Sequence, residues 1–437
     1  MHRHRLLLQL INSTRTNIGH RFHAYLIMNG SLNIGGQPAK STHIEKGSRL
    51  RDDKPPLAEE PHRLDARTWL VERFSWTWFT ATQSTGGLAI VLAECPHQFN
   101  GLHTIGTIIF IFNIVLWLLF TGLTITRWRL KSITLRASFT QPPEAYFYGS
   151  WWLTAATIIL GIQHYGVPHS GPWLIDAVRI LFWIYAACTL LSSLVVFVVM
   201  SKHSPLANPG GNPSILLTVF HAMLTGTIAA GIVGGQPEAH RLPIMVAGIG
   251  FQGYGWIMSM VYVGWIFSSL LQNGFPAASS TRPGFFMLVG TAGYTIVVLI
   301  GNARGAPSNY GYFASHPMAA EILLVLATWT SIFLWVFTFW CFAMVTMSIL
   351  SDVIRRDENG RWRPTMSWHN TWWAFIFPNV GFTISTIYLG QELESEAIVW
   401  VSTGMVILLV VFWLFDIFVF FKTIAYSLFR DSRVKLS

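Results

Sequence analysis

Charged residues are scarce in this sequence, and their scarcity excludes most classes of soluble protein. Of 437 residues, only 11% are Asp, Glu, Lys or Arg, whereas 52% are apolar. A soluble chain of this length would carry about 25% charged residues. The composition therefore predicts a multi-pass protein embedded in a lipid bilayer. The net charge of +9 lies mostly in the first 75 residues and in short stretches between apolar runs, so it does not indicate nucleic-acid binding.

Cysteine and catalytic motifs are also scarce. Cys95, Cys188 and Cys341 stand far apart without a CxxC pair, so they indicate neither a disulfide framework nor a metal site. The sequence contains no Walker lysine loop, no HExxH and no GxSxG motif. We therefore expect no enzyme activity, no catalytic residue, no metal and no cofactor.

Ten apolar runs follow a polar first segment, and each is predicted to be a transmembrane helix. The runs cover residues 75–94, 103–126, 145–166, 172–200, 213–234, 242–271, 284–301, 318–350, 371–391 and 397–424. Three regions result. Residues 1–73 form a largely disordered cytoplasmic tail, residues 74–425 form a ten-helix transmembrane transporter domain, and residues 426–437 form a cytoplasmic C-terminal tail.

The loops between these runs predict the orientation in the membrane. Loops from even to odd runs hold ten Lys or Arg residues, and loops from odd to even runs hold two. Because cytoplasmic loops retain basic residues, both termini are predicted to be cytoplasmic. The plasma membrane is the expected location. Residues 1–44 contain no Asp or Glu, which is also typical of a mitochondrial transit peptide. A mitochondrial or other internal membrane is therefore the alternative location. Met28 is an alternative to Met1 as the first residue of the protein.

Side-chain size divides the runs into two kinds. Runs one, five, seven and nine contain glycine and small polar residues, whereas runs two, four, eight and ten are bulky and apolar. Small residues suit close helix packing or a water-filled lumen, and large apolar residues suit lipid. We expect odd-numbered helices inside and even-numbered helices outside. The glycine-rich run six (Gly248 to Gly255) is an exception, which contact with another subunit would explain.

The stretch from Trp368 to Gly390 holds more than twenty residues without a formal charge and has Pro378 near its middle. Proline removes a backbone donor and breaks or kinks a helix. Phe377 precedes it, and Asn379 and Thr383 follow. A kinked helix with one ring and several small polar groups fits the wall and constriction of a pore. A proline that merely packs a buried helix is the alternative interpretation.

Few ionisable residues fall inside the runs, and each allows two interpretations. His221 is either a proton acceptor or anion partner in a pore, or a neutral histidine that joins two helices. Arg282 and Arg304 flank run seven and either attract anions to the two pore mouths or anchor the helix ends. No arginine lies deep in an inner run. An anion would then be held weakly, by hydroxyls and backbone N–H groups, which favours throughput over affinity.

Three motifs resemble a known family. They are FTATQSTGGLAIVL from Phe79 to Leu92, RPGFFMLVGTAG from Arg282 to Gly293, and WWAFIFPNVG from Trp372 to Gly381. Together they resemble the tellurite-resistance/dicarboxylate transporter family, whose fold is that of the slow anion channels. The STGG and RPG stretches are more similar to the fungal malic acid transport proteins than to the sulfite branch. The resemblance covers about residues 74–425.

This resemblance implies an all-α fold of five helical hairpins around a pseudo-fivefold central pore, in a homotrimer. It implies transport of C4-dicarboxylates such as malate or succinate, proton-coupled or by exchange, with sulfite or small inorganic anion efflux as the alternative. Phe377 matches the residue that plugs the pore, with Pro378 as the pore kink. More loosely, the pore-lining or anion-contact positions are Thr82, Ser84, Thr85, Gly86, Gly87, Thr157, His221, Thr225, Thr291, Asn379 and Thr383.

Overall fold

The computed structural model describes residues 70, 73–130, 135–203, 211–356, 360, 362–364 and 366–429. The predicted N-terminal tail lies outside these residues apart from positions 70 and 73, and so do residues 430–437 of the predicted C-terminal tail. The expectations for both tails therefore stay predictions.

Ten long helices occur in the described part of the chain, in the order of the ten apolar runs. Their bounds are α1 Phe79–Ala93, α2 Leu102–Arg129, α3 Gly149–Gly161, α4 Trp173–His203, α5 Leu217–Ile232, α6 Glu238–Asn273, α7 Met287–Arg304, α8 Ala319–Val353, α9 Phe377–Glu392 and α10 Glu396–Phe429. Two short helices, Leu135–Thr140 and Tyr312–Ser315, lie in the connections after α2 and α7.

Each odd-numbered helix begins on a 3-10 segment. These segments are Trp76–Trp78 before α1, Glu144–Tyr148 before α3, Pro213–Leu216 before α5, Ser279–Phe286 before α7 and Asn370–Phe375 before α9. Pro213 and Pro283 lie within two of the segments, and Pro143 precedes a third. Proline has a fixed φ and no N–H, so it is tolerated where a helix starts and not in its interior. The same kind of start therefore repeats five times along the chain.

A two-stranded ribbon follows α8, and the all-α prediction did not include it. Strand β1 (Ile354–Arg356) pairs antiparallel with β2 (Trp362–Pro364), and Arg355 lies opposite Arg363 in the register. The predicted basic loop at this point thus folds back on itself as a hairpin. The long elements are helical, which confirms the helical class of the domain.

Eight helical segments among the described residues are long and apolar enough to cross a membrane. They contain α2 to α8 and α10, and they confirm a multi-pass membrane protein. The remaining two helices, α1 and α9, have 15 and 16 residues, fewer than the ~20 that a spanning helix needs. The predicted count of ten crossings is therefore not reproduced by helix length alone.

Burial separates the odd-numbered from the even-numbered helices. Over an 18-residue apolar stretch of the segments that contain α3, α5 and α7, 72%, 89% and 94% of residues are buried, whereas the values for the even-numbered helices lie between 22% and 33%. Helices α1 and α9 are buried at every position from Phe79 to Leu92 and from Phe377 to Gly390. The sorting by side-chain size is correct, because bulky apolar side chains are the ones that can face lipid at no cost.

Helix α6 is an outer helix like the other even ones despite its glycines, and its contact with another subunit stays a prediction. Two of those glycines, Gly248 and Gly255, lie against Ala229 and Met223 of α5 in the same chain. Gly250 and Gly253 face open space. The missing side chains let α6 approach α5 closely, which is the usual role of glycine between membrane helices.

Helices α7 and α9 approach each other just as closely. A Cβ atom added to Gly293 would lie 2.9 Å from the backbone nitrogen of Phe382, and one added to Gly381 would lie 2.8 Å from the ring of Tyr294. Real Cβ atoms do not come this near to such neighbours, so both positions require glycine. This contact fixes the distance between the two helices one turn from Phe377 and Pro378.

Candidate functional site

The backbone changes from a 3-10 segment to the α9 helix at Ile376, deep inside the domain. Ile376 has φ −104° and ψ −72°, and its side chain is fully buried. Pro378 is the second residue of α9, where its missing N–H leaves no hydrogen bond unmade. The predicted kink is thus a helix start within the protein interior. A helix start carries a partial positive charge.

Phe377 is the first residue of α9, and its side chain is only 2% exposed. Its ring centroid lies 5.4 Å from that of Tyr294 on α7, and the Tyr294 hydroxyl donates to the Phe377 carbonyl oxygen at 2.9 Å. On α1, a Cβ atom at Gly87 would be 3.1 Å from the Phe377 ring. The ring therefore fills the space between α1, α7 and α9 and faces away from lipid.

The neighbouring Pro378 extends this group to α5. A Cβ atom at Gly290 of α7 would lie 3.5 Å from both Pro378 and the ring of Phe220 on α5. We call these residues the Phe377 cluster, and it consists of Gly87, Phe220, Gly290, Tyr294, Phe377 and Pro378. Four of the five inner helices meet in it. The cluster contains the predicted Gly87, Phe377 and Pro378.

The hydroxyls of α1 bind three different neighbours. Thr82 pairs with Thr154 of α3 at 2.8 Å, and Ser84 donates to the carbonyl of Trp373 at 3.0 Å. Thr85 accepts a hydrogen bond from the indole N–H of Trp413 on α10, also at 3.0 Å. These predicted pore-lining residues are buried and satisfied by their neighbours. Their hydrogen bonds hold α1 in place beside the cluster.

Gly86 lies on a different side of α1 from Gly87. It faces the side chains of Thr157 on α3 and Asn113 on α2. Thr157 donates to the carbonyl of Thr154 at 2.8 Å. The structure brings Gly86 and Thr157 together in a contact with α2 and not in the Phe377 cluster, and their pore-lining role stays a prediction.

His221 of α5 is fully buried, and both ring nitrogens have partners. Nδ1 lies 3.2 Å from the carbonyl oxygen of Leu217, which can only accept, so Nδ1 carries the hydrogen. Nε2 then accepts from the Tyr148 hydroxyl at 2.9 Å, and Tyr148 also pairs with Ser192 at 2.7 Å. This chain joins α5 to α4 and to the segment before α3. The geometry favours the helix-joining interpretation of His221.

The other predicted polar positions lie apart from Phe377. The Thr225 hydroxyl lies 3.4 Å from that of Thr189 on α4, and Thr291 donates to the Leu288 carbonyl of its own helix at 2.7 Å. Asn379 and Thr383 line a cavity between α8, α9 and α10. At 100° per residue, Asn379 is on roughly the opposite side of α9 from Phe377.

Arg282 and Arg304, the two arginines predicted at the pore mouths, both contact other residues of the chain through their guanidinium groups. Arg282 donates to the carbonyls of Pro276 at 3.1 Å and Ser348 at 2.7 Å. Arg304 pairs with Glu392 at 2.5 Å and lies over the ring of Tyr388, 4.5 Å from its centroid. These contacts tie α7 to α8 at one end and to α9 at the other. They favour the anchoring interpretation of the two arginines.

A polar cavity of about 440 Å³ lies where the 3-10 segments that lead to α1 and α9 begin. Its wall includes Arg127 and Glu144, which form a two-point ion pair at 2.5 and 3.3 Å, together with Ser75, Thr77 and His369. The sequence does not predict this cavity, because its residues come from loops and helix ends that are distant in the chain.

His369 begins the 3-10 segment that leads to α9. Its Nδ1 accepts the backbone N–H of Thr371 at 3.2 Å and caps the segment. Burial lowers the pKa of His369 below its ordinary value, because a charged ring would lose hydration there. A protonated Nδ1 could not accept the N–H, so the neutral ring is the form that supports this helix start.

Tyr294 and Phe220 belong to the cluster and were not predicted. Tyr294 follows directly on the Gly290–Gly293 motif, so an aromatic beside a small-residue motif in an inner run was an available signal. Nothing in the sequence pairs Phe220 with Pro378. Among the described residues, no group of three or more His, Cys, Asp or Glu side chains could hold a metal ion.

Inner helices with buried small and polar side chains, enclosed by outer helices that face lipid, are the organisation of a membrane transport protein. The sequence comparison agrees. Residues 73–424 match the voltage-dependent anion channel family (SLAC1), and the chain belongs to this family of anion transporters.

Curated relatives narrow the comparison further. The chain is 31% identical to the malic acid transport protein of Schizosaccharomyces pombe over 75% of this chain and 73% of that protein. A putative malic acid transport protein of the same yeast is 29% identical over 79% of this chain and 78% of that protein. A sulfite efflux pump of Trichophyton rubrum is 26% identical over 75% of this chain and 84% of that protein. The chain is thus similar to transporters of organic and of inorganic anions.

Proposed function

We propose that this protein carries C4-dicarboxylates of the malate and succinate type through a central pore that Phe377 closes. The observation that supports it most is the position of Phe377, a buried ring at the meeting of α1, α7 and α9. The proposed pore runs between the inner helices past the Phe377 cluster, and we assign its mouth to the polar cavity beside the 3-10 segment that precedes α9. Removing the ring would let water into the constriction.

The preference for anions comes from the helix starts and not from buried cations. Helices α1, α3, α5 and α9 contain no Lys or Arg, and α7 contains only Arg304 at its end. The start of α9 at Phe377 is buried, so its partial positive charge acts in a region of low dielectric constant. An anion held in this way binds weakly and leaves quickly. Such a site suits rapid transport.

The proposed pore requires ten crossings in five hairpins around a pseudo-fivefold axis. Helix α1 with its preceding 3-10 segment spans about 28 Å, at ~1.5 Å and ~2.0 Å of rise per residue. Helix α9 with its longer segment spans about 36 Å on the same basis. Both lengths match a hydrocarbon layer of ~30 Å. The five 3-10 starts on odd helices support a fivefold repeat.

The assembly and location form part of the same proposal. We propose a homotrimer in the plasma membrane with both termini in the cytoplasm. The excess of basic residues in alternate loops supports the orientation. Protease protection of tags at both ends in intact cells would test it.

Malate is the favoured substrate, because the relative at 31% identity is named for malic acid transport, whereas the sulfite pump is 26% identical. Sulfite efflux is the alternative function. The test is a flux panel in vesicles that contain the purified protein, with labelled malate, succinate and sulfite and an imposed pH gradient. Malate flux that rises with the gradient supports proton-coupled malate transport. Sulfite flux without malate flux rejects the substrate assignment.

A further inference from the structure

The cavity between α8, α9 and α10 has a volume of about 620 Å³ and lies on the side of α9 away from Phe377. Its walls include Phe342 of α8, Phe375 and Phe382 beside and on α9, and Phe412 of α10. None of its lining residues is Asp, Glu, Lys or Arg. A cavity of this size and composition falls in the range that holds a small apolar molecule.

Two polar atoms in this apolar wall lack hydrogen-bond partners among the described residues. They are Oδ1 of Asn379 and the hydroxyl oxygen of Thr346, and both atoms are buried. Asn379 is only 6% exposed, and its Nδ2 already donates to the Phe375 carbonyl at 2.9 Å. Oδ1 is thus an acceptor without a donor. Leaving such an atom unpaired costs ~1–3 kcal/mol, so a donor in the cavity would recover free energy.

The rim of the cavity faces the surroundings of the helix bundle. Leu350 on α8 and Val411 on α10 line the cavity and are 67% and 56% exposed. Both lie on outer helices, whose exposed apolar side chains face lipid. The occupant therefore comes from the hydrocarbon phase of the membrane. A charged headgroup does not fit, because an ion cannot be buried without a partner.

The shape of the wall narrows the choice of occupant. The rings of Phe375 and Phe412 are stacked with centroids 4.9 Å apart and an angle of 2° between their planes. Flat aromatic faces pack well against a flat, rigid body. We propose that the cavity binds a membrane sterol, a flat apolar molecule with one hydroxyl, and that this hydroxyl donates to Asn379 Oδ1. The Thr346 hydroxyl is a second polar partner for the sterol oxygen.

This site is independent of the proposed pore. Sterol binding requires only the cavity and its two unpaired atoms. An effect of sterol on transport would rest on the proposed function as well, because the occupant touches α9 behind Phe377. Binding is therefore the quantity to measure, and a failure of malate transport would leave the binding result unaffected.

The experiment uses the full-length purified protein in phosphatidylcholine vesicles with a photoreactive cholesterol analogue. After illumination, mass spectrometry of the digested protein should find the label on peptides from α8, α9 and α10 that line the cavity. Excess unlabelled ergosterol should compete, and excess octadecanol should not. Label that maps elsewhere, or equal competition by octadecanol, would overturn the sterol assignment.

Variants test the two polar atoms directly. Thr346→Val keeps the shape of the side chain and should lower cavity labelling at limiting probe severalfold, and Asn379→Leu should lower it about tenfold. Thr383→Val is the matched control, because Thr383 lines the same cavity and its hydroxyl donates to the Asn379 carbonyl at 2.8 Å. Leu409→Trp fills the cavity and should abolish labelling. Thr383→Val should label like wild type. Wild-type labelling in the three folded test variants as well would overturn the proposal.

Discussion

Truncation of Phe377 is the most direct test of the proposed pore. Phe377→Ala removes six ring carbons at a position that is 2% exposed. The lost contacts are with Tyr294, whose ring centroid is 5.4 Å away, and with Gly87. The space that is freed holds roughly three waters at ~30 Å³ each. Because the neighbouring helices are held by their own hydrogen bonds, we expect this space to stay open.

The size of the effect follows from the cost of dehydrating an anion. A dry constriction strips water from a carboxylate, which costs several kcal/mol. Each ~1.36 kcal/mol removed from the barrier raises the rate tenfold. Recovering ~1.4–2.7 kcal/mol of the dehydration cost would raise anion flux about 10- to 100-fold. Phe377→Leu, which leaves an apolar but smaller side chain, should give an intermediate flux.

The matched control is Phe382→Ala. Phe382 is on the same helix and is 3% exposed, but its ring packs against Trp335 and Phe342 of α8 at 5.5 and 5.7 Å. Both truncations cost ~3–5 kcal/mol of stability, so a general loosening of α9 would affect both variants alike. Voltage-clamp currents carried by malate, corrected for the amount of protein at the cell surface, give the comparison. Currents in Phe377→Ala that equal those of wild type or of Phe382→Ala would refute the reasoning.

Three further predictions concern the packing and the histidines. Gly293→Ala places a methyl 2.9 Å from the α9 backbone, and this overpacking should lower the free energy of unfolding by ~1–3 kcal/mol and the melting temperature in detergent with it. Gly250→Ala is the control, because its methyl meets open space and should leave the melting temperature unchanged. The lowered pKa of His369 means that the unfolded chain takes up a proton that the folded one excludes, so stability falls as pH drops through ~6.5. His369→Asn keeps a capping acceptor without titrating, and its melting temperature should fall less between pH 7 and pH 5 than that of wild type; an equal fall contradicts the assignment. His221→Ala should lower the melting temperature through the loss of its bonds to Tyr148 and Leu217 and leave the pH dependence of malate flux unchanged; a changed pH dependence would return His221 to the transport mechanism.

The division into inner and outer helices was predictable from the sequence, because lipid and the protein interior favour different side chains along the whole length of a helix. Bulky runs such as that of α10 can face lipid, and runs with Gly, Ser and Thr cannot be explained by lipid contact. Composition alone was ambiguous for α6, where Gly248 and Gly255 pack against α5 while most of the helix lies on the outside of the bundle. A glycine count does not distinguish a helix with one close contact from a helix that is buried all round.

The detailed site was less predictable, since a sequence shows which residues share a helix and not which neighbour each one meets. Phe377 and Asn379 are two residues apart and face different sides of α9: Phe377 packs between α1 and α7, whereas Asn379 lines the cavity beside α8 and α10. Arg304 was expected at a mouth, and its partner Glu392 lies at the end of another helix. Only the tertiary packing of α7 on α9 brings these groups together. Helical periodicity could have placed Phe377 and Asn379 on opposite faces of α9, but it could not have identified the residues that each face contacts.

The repeated 3-10 starts have an electrical consequence. In the proposed topology all five inner helices run in the same direction, from the cytoplasm outward, so their dipoles add instead of cancelling. The lumen would then carry a permanent voltage offset, positive at its inner end, and would pass negative ions with unequal ease in the two directions. With identical malate solutions on both sides, the current should rectify, and a straight current–voltage line would contradict a shared direction of the five helices.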